Sequence, residues 1–256
     1  MNYKIYPLYC CDGSMIKSKM FYQGAPADEV IKMQYACFLL KDENGDCMMV
    51  DSGYPLPKDI REGNYEDVYP VRNNSVESME ALLAPYGVKP EDITKIIFTH
   101  LHYDHAWNLK NFPNAVFYAQ KEEILGGVIP LGMSNERNRA YSMHPKVFGD
   151  CWVNFLNRFI PIDGDTENVI PGISVILTRG HTRGGQTIIV DTKDGKYGIV
   201  GDYAVSLDSI YKKIPVGMCT SVVEWMEDYK KIEKIMNEVK FLSNHDPRTF
   251  DYEVYG

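Results

Sequence analysis

Short apolar runs broken by turns alternate with helical stretches along this chain, a pattern typical of an α/β protein. Residues 34–40 (QYACFLL) and 47–50 (CMMV) flank Asn44-Gly45, which predicts an antiparallel hairpin that ends at Asp51. Further β-branched or aromatic runs between turn residues predict strands over residues 96–99, 115–118, 174–178, 187–190 and 197–200. No linker or repeat divides the chain, so we expect a single domain over residues 1–256.

Two segments have the apolar spacing of helices. Residues 74–86 predict one of them, with Asn74 as N-cap and Gly87 at the exit. Ser221 begins the other with a capping box, and its apolar positions recur as far as Val239. This second stripe favours a face packed on the core.

The segment 121–159 is interrupted by glycines and prolines, although large apolar side chains recur in it. A cap or rim beside a functional site fits this pattern, and a plain surface insertion fits it equally well. His144 lies in this segment and is expected at the surface.

The composition sets several function classes aside. With 256 residues and 45% hydrophobic positions, the chain can bury a substantial core. Its net charge of -8 would repel nucleic-acid phosphates and anionic membrane surfaces, so neither is expected as a partner. The sequence contains no apolar run of about 18 residues and no signal segment. Its six scattered cysteines form no CxxC pair, so we expect a reducing, cytoplasmic location.

Three of the six histidines fall within six positions, in the segment THLHYDHAWN that directly follows the strand IIFT. His100 and His102 come from alternate residues of a loop, and Asp104 and His105 follow at the start of a short helix. Such closely packed groups would repel one another on protonation unless a ligand compensates. Imidazole nitrogens with an interleaved carboxylate are the donors that zinc and similar divalent metals select.

Three further candidate ligands, His181, Asp202 and His245, each follow another strand-like run. Ligands at the ends of successive strands are expected to meet at one edge of a sheet. Taken singly, each would be interpreted as a hydrogen-bonded structural residue or a turn residue. The presence of the HxHxDH cluster is what favours a ligand role for all three. Seven ligands exceed the four of one tetrahedral zinc, which predicts two metals that share a bridge.

The charges of such a centre nearly cancel. Two divalent ions bring four positive charges, Asp104 and Asp202 remove two, and a bridging hydroxide removes a third. The remaining positive charge favours an anionic or polarised oxygen. Asp51 could orient a ligand histidine by accepting its N–H, or it could simply close the preceding strand through an Asx turn.

The HLHYDH motif with the later GHT, GD and NHD segments resembles the metallo-β-lactamase superfamily. The resemblance implies a four-layer αβ/βα sandwich, with two metals at one edge of its paired sheets. Within the superfamily the chain is most similar to the N-acyl-homoserine lactone lactonases. The N-terminal segment before the first hairpin, Tyr103 inside the motif and the closing FLSNHD carry that likeness.

The resemblance assigns a role to each candidate ligand. His100, His102 and His181 would hold one metal, Asp104, His105 and His245 would hold the other, and Asp202 would bridge them. Two divalent ions are implied, with zinc as the first choice and iron, manganese or cobalt as alternatives. The best-known β-lactamases have a cysteine where Asp202 stands, and the diiron electron-transfer relatives replace a motif histidine with glutamate. Antibiotic hydrolysis and redox chemistry are therefore disfavoured.

Three segments depart from the lactonase pattern, at four positions. Trp107 replaces a small glycine, Arg183 and Gly185 replace a proline and a histidine, and Val205 stands where a tyrosine is expected. Tyr203 lies beside Asp202 instead. We hypothesise that Trp107 and Arg183 shape the pocket for a smaller or acidic ring, although packing or surface roles fit them as well.

The expected reaction is the opening of a small-molecule lactone, a quorum-quenching activity, by a metal-bridging hydroxide. Asp104 would pass a proton to the leaving alkoxide, and Tyr203 would donate a hydrogen bond to the oxyanion. Alternatives are a thioesterase similar to hydroxyacylglutathione hydrolase (glyoxalase II), which needs a basic patch, and a non-catalytic metal-binding protein. RNA cleavage is disfavoured by the acidic balance. A homodimer stays open.

Overall fold

The first of two β-sheets contains the predicted hairpin. The computed structural model describes residues 1–16, 24–26, 28–67, 69–128 and 153–256. Six strands form this sheet in chain order: β1 (Tyr3–Ile16), β2 (Val30–Asp42), β3 (Cys47–Val50), β4 (Ile93–Ile97), β5 (Val116–Gln120) and β6 (Phe159–Ile162). Pairing is antiparallel from β1 to β3 and parallel from β3 to β6. The hairpin prediction is confirmed, because Phe38 of β2 lies opposite Val50 of β3.

The second sheet has the order β11-β10-β9-β8-β7. Its strands are β7 (Thr166–Ile170), β8 (Ile173–Leu177), β9 (Gln186–Thr192), β10 (Gly195–Ile199) and β11 (Val239–Leu242). The first four pair antiparallel, and β11 joins β10 in parallel. The five predicted strand runs therefore fall on β4, β5, β8, β9 and β10.

The α-helices of the described residues are mostly short. They are α1 (Pro57–Gly63), α2 (Met79–Leu83), α3 (Tyr103–Ala106), α4 (Lys121–Val128), α5 (Asp208–Lys212) and α6 (Val222–Ile235). The predicted capping box of α6 has its N-cap bond, since the Ser221 hydroxyl accepts the Glu224 N–H at 3.2 Å. Among the helices in the described part of the chain, none combines the length and apolar character needed to cross a membrane.

Two predicted helix boundaries are wrong. The helix predicted over residues 74–86 is α2, and it begins at Met79 rather than at Asn74. The φ of Asn74 is +53°, and its side-chain amide donates to the Asp12 carboxylate at 2.6 Å. Helix α6 ends at Ile235, and Val239 begins β11. In both cases a partner distant in sequence decides the local conformation. Of the segment 121–159, residues 129–152 lie outside the described residues, and with them the cap or insertion and His144.

Alternate residues of the strands enter different apolar clusters. Phe38 of the first sheet and Ile188 of the second belong to one cluster, which fills the space between the sheets. Leu39, next to Phe38, faces the opposite side and shares a second cluster with Leu83 of α2. Residues of α6, including Trp225, cover the outer face of the second sheet. This helix–sheet–sheet–helix order confirms the predicted four-layer sandwich.

Candidate metal centre

The seven candidate ligands follow four strand ends, as predicted. The apolar strand β4 leads into the loop of His100 and His102, and α3 carries Asp104 and His105 directly after it. The other three follow the second sheet: His181 comes after β8, Asp202 after β10 and His245 after β11. Because β10 and β11 run parallel, their carboxyl ends reach the same edge of the sheet.

The structure brings all seven side chains together in two groups. The ligand atoms within each group lie within 4.8 Å of one another. Group A contains His100, His102, His181 and Asp202, and group B contains Asp104, His105 and His245. Six of the seven are buried, and His102 is half-buried.

Asp202 lies between the two groups. Its Oδ2 is 3.3 Å from His181 Nε2 and 3.9 Å from His100 Nε2, both in group A. Its Oδ1 is 3.0 Å from His245 Nε2 and 3.3 Å from His105 Nε2, both in group B. One carboxylate therefore presents one oxygen to each group.

Hydrogen bonds at the outer nitrogens fix the orientation of three imidazoles. His181 Nδ1 is 2.8 Å from the Met218 carbonyl, and His245 Nδ1 is 2.7 Å from the Gln34 carbonyl. His105 Nδ1 is 2.8 Å from Asp51 Oδ2. Since these oxygens only accept, each Nδ1 must carry the hydrogen. In a neutral ring, the Nε2 that faces the centre then has a bare lone pair.

Asp51 is the buried carboxylate that orients His105. Its two oxygens accept the Thr99 N–H at 2.7 Å, the Thr99 hydroxyl at 2.8 Å, the His105 ring and the Asn244 amide at 2.9 Å. This confirms its predicted contact with a ligand histidine. The backbone φ of +57° at Asp51 is uncommon for a residue other than glycine, and the four hydrogen bonds hold it there. Thr99 and Asn244 were missed, although each adjoins a predicted ligand in sequence.

The surroundings move the histidine pKa values in opposite directions. Burial and the neighbouring imidazoles hold the pKa of His100 and His102 well below the usual range. Burial also lowers the pKa of His105 and His245, but nearby carboxylates, Asp51 among them for His105, outweigh it and raise both. Burial raises the pKa of Asp202, yet the surrounding imidazoles bring it well below its usual range. Asp202 is therefore an anion between imidazole rings.

Buried atoms without partners test whether this cluster fits metal ions. His105 Nε2, His245 Nε2 and Asp202 Oδ1 are buried and have no hydrogen-bond partner within the described part of the chain. An unsatisfied buried polar atom costs free energy, and three such acceptors pointing at a common space call for a shared positive partner. Imidazole nitrogens and carboxylate oxygens suit divalent zinc, iron, manganese or cobalt. The residues present therefore fit two divalent ions.

A buried glutamate that the sequence analysis missed links the two loops of group A. Glu123 of α4 accepts the Leu101 N–H at 3.3 Å and the Gly184 N–H at 3.1 Å. Leu101 lies between His100 and His102, and Gly184 lies three residues after His181. Burial raises the pKa of Glu123. Its place at the third residue after the apolar strand β5 is a weak signal in the sequence.

Three other residues singled out in the sequence do not face the cluster as expected. The Tyr203 hydroxyl donates to the Trp225 carbonyl at 2.8 Å, so its hydrogen is engaged away from an oxyanion. Trp107 is fully buried, with its ring edge-on to those of Tyr65 and Tyr69. Arg183 is exposed. The rings of Tyr203 and Trp107 pack in the apolar core, whereas the charged group of Arg183 is hydrated at the surface.

Comparisons with known proteins agree with this geometry. The family model of the metallo-beta-lactamase superfamily matches residues 31–237. An N-acyl homoserine lactonase of Bacillus cereus is 29% identical over 182 residues, which is 69% of this chain but only 64% of that relative. The lactonase AttM of Azorhizobium caulinodans is 25% identical over 255 residues, 94% of this chain and 93% of that protein.

Solved structures show the same fold. The crystal structure of a quorum-quenching N-acyl homoserine lactone lactonase matches with a TM-score of 0.77 and 21% identity, over 98% of this chain and 95% of the other. A dizinc quorum-quenching lactonase matches with a TM-score of 0.68 and 17% identity, over 96% and 88%. With the family model matched over most of its length, the chain belongs to the metallo-β-lactamase superfamily.

Proposed function

We propose that this protein is a dinuclear metal-dependent hydrolase that opens lactone rings, either N-acyl-homoserine lactones or related small lactones. The observation that carries the proposal is the position of Asp202, which turns one oxygen to each of two buried ligand groups. Two relatives that match over most of this chain are named N-acyl homoserine lactonases, and these names support the choice of a lactone over other esters.

In this proposal His100, His102 and His181 would hold one ion, Asp104, His105 and His245 would hold the other, and Asp202 would offer one carboxylate oxygen to each. We propose zinc as the natural metal. When bound, the ions would supply Lewis acidity toward a carbonyl and would lower the pKa of water.

The protein's own groups orient and protect this chemistry. Asp51 keeps the hydrogen on His105 Nδ1, which leaves Nε2 as the donor atom. Asp104, at 3.7 Å from His245 Nε2, is placed by α3 at the inner side of group B. We assign its carboxylate the relay of one proton, which it takes from the attacking water and passes to the leaving alkoxide oxygen. Tyr203 is left out of this assignment, because its hydroxyl already donates to a backbone carbonyl.

The test combines metal analysis with a substrate panel. Protein reconstituted separately with zinc and with manganese is assayed with N-hexanoyl-homoserine lactone, γ-butyrolactone and S-lactoylglutathione. The proposal expects about two ions per chain and turnover of at least one lactone. Preferential cleavage of the thioester would favour the glyoxalase II-like alternative. Two bound ions without any turnover would identify a non-catalytic metal-binding protein. The cytoplasmic location, the single domain and a homodimer stay predictions.

A further inference from the structure

A positively charged side chain lies beside group B, separated from it by one layer of tyrosine rings. The Arg72 guanidinium carbon is 5.0 Å from the ring centres of both Tyr35 and Tyr54. The Tyr35 ring is 5.1 Å from that of His245, and the Tyr54 ring is 5.8 Å from that of Tyr103, the residue before Asp104. Arg72 therefore approaches the candidate centre from the side of Asp104 and His245.

Arg72 has no carboxylate partner among the described residues. Among those residues it lies over the rings of Tyr35 and Tyr54 and donates a hydrogen bond to the Tyr54 hydroxyl, while its Nε is buried without a hydrogen-bond partner there. Aromatic faces attract a guanidinium, but they do not neutralise it. A guanidinium stays charged at any physiological pH. Two divalent ions in the adjacent centre would add positive charge, so this side of the site favours an anion.

A groove next to Arg72 is also positively charged. A groove of about 450 Å³ is lined by Arg72, by the exposed Lys32 and by Asp12, together with residues 13–14 and 70–73. The Asp12 carboxylate already accepts the Tyr9 hydroxyl and the Asn74 amide, each at 2.6 Å. Two cations and one hydrogen-bonded carboxylate leave the groove positive, although the whole chain has a net charge of -8.

From this arrangement we infer that Arg72 binds a carboxylate on the acyl side of the substrate, so the preferred lactones are anionic. The inference rests on the proposed function and refines its substrate class. A planar guanidinium with several N–H donors matches a carboxylate in two-point hydrogen bonding. Arg72, rather than the exposed Arg183, is then the residue that selects an acidic substrate.

The experiment compares two substrates that differ in one charge. N-succinyl-homoserine lactone carries a free carboxylate, and its methyl ester has nearly the same shape without the charge. We expect the wild-type enzyme to favour the acid by about 10-fold or more in kcat/KM, the effect of one charge-assisted hydrogen bond. Arg72→Gln should bring this ratio close to one, mainly by slowing the acid. Arg72→Lys, which keeps the charge but loses the planar fork, should give an intermediate ratio.

Arg61→Gln is the matched control, because Arg61 is an exposed arginine on α1 that pairs with Glu77. It should leave the ratio at the wild-type value. Equal turnover of the two substrates by the wild-type enzyme, or an unchanged ratio in Arg72→Gln, would overturn the inference while the lactonase proposal stands. If neither of these two lactones is opened but N-hexanoyl-homoserine lactone or γ-butyrolactone is, the inference is overturned and the lactonase proposal stands. If no lactone is opened at all, the lactonase proposal fails. Calorimetric binding of ring-opened N-succinyl-homoserine and of its methyl ester then tests Arg72 separately, since equal affinities would overturn the inference. The two comparisons made with the wild-type protein test the inference even if the Arg72 variants do not fold.

Discussion

The two ligand groups of the candidate centre differ in the charge that surrounds them. Group A offers three imidazoles and one oxygen of Asp202, and burial keeps His100 and His102 neutral. Group B adds the carboxylate of Asp104 to its two imidazoles, and Asp51 lies directly behind His105. A cation is attracted more strongly by the group with more negative charge in a buried setting. We therefore expect group B to hold its ion more tightly, and group A to release its ion first to a chelator.

The largest expected effect comes from the residue that the groups share. Asp202→Asn keeps the shape of the side chain but removes the charge that faces both groups. We expect metal content to fall from two ions to one or fewer, and lactone hydrolysis to fall roughly 1,000-fold, the order of effect for losing a transition-state electrostatic contact. Elemental analysis and initial rates measure both. A variant with two ions and the wild-type rate would show that Asp202 does not join the groups.

The Asp51→Asn variant changes group B without changing group A. The amide cannot accept all four hydrogen bonds that the carboxylate receives, so the His105 ring loses its fixed orientation. Loss of such a supporting contact typically weakens metal binding by about 10- to 100-fold. Chelator competition should show that the tighter ion of the wild-type protein becomes the weaker one. Equal weakening of both ions would contradict the distinction between the groups.

Glu123→Gln makes the converse change in group A. The amide keeps one acceptor oxygen, whereas the carboxylate serves both the Leu101 and the Gly184 amides. We expect a smaller effect, about 3- to 10-fold weaker binding of the first-released ion, with the second ion unchanged. Glu122→Gln is the control, since the neighbouring Glu122 is exposed on the same helix. If the two variants release metal alike, Glu123 has no positioning role.

The smallest effect concerns the ion pair that fastens the His181 loop to α6. Asp228 accepts the Arg179 backbone N–H at 2.9 Å and its Nε at 2.8 Å. Burial raises the pKa of Asp228, but Arg179 outweighs it, and the net pKa is lowered. The pair therefore stabilises the fold fully above the unfolded pKa of about 3.9, and this contribution is lost as the pH falls through the lower, folded pKa.

Asp228→Asn should then cost about 1 to 2 kcal/mol of unfolding free energy at pH 7, with the difference shrinking in acid. Denaturant unfolding at pH 7 and near pH 3 measures it. Glu227→Gln is the control, because Glu227 is 57% exposed and lies 3.6 Å from Arg179. A deficit in Asp228→Asn that grows as the pH falls would contradict the sign.

The sequence pointed to the candidate ligands more readily than to the residues that orient them. His100, His181 and Asp202 could be found because each lies within four residues after an apolar strand, and strand ends meet at one edge. Arg72 has no such local signal and Glu123 has only a weak one, since their roles come from contacts with residues that are distant in the chain. Pattern reasoning detects periodic elements, but it does not detect which surface residues the fold turns inward.

Tyr203 shows the same limit at the site itself. Its position next to Asp202 suggested an oxyanion contact, but the chain turns through a short 3₁₀ helix at Gly201–Ala204 and carries the ring onto Trp225, 5.0 Å between centres. The position of Tyr203 next to Asp202 in the sequence therefore predicted where its backbone lies, but it did not predict where its hydroxyl points.

A crystal structure of the zinc-loaded protein, with anomalous diffraction data at the zinc edge, tests the central claim most directly. The account predicts two anomalous peaks, one within group A and one within group B, with Asp202 Oδ2 bound to the first ion and Oδ1 to the second. A single peak, or two peaks with the Asp202 carboxylate turned away from one of them, would contradict it.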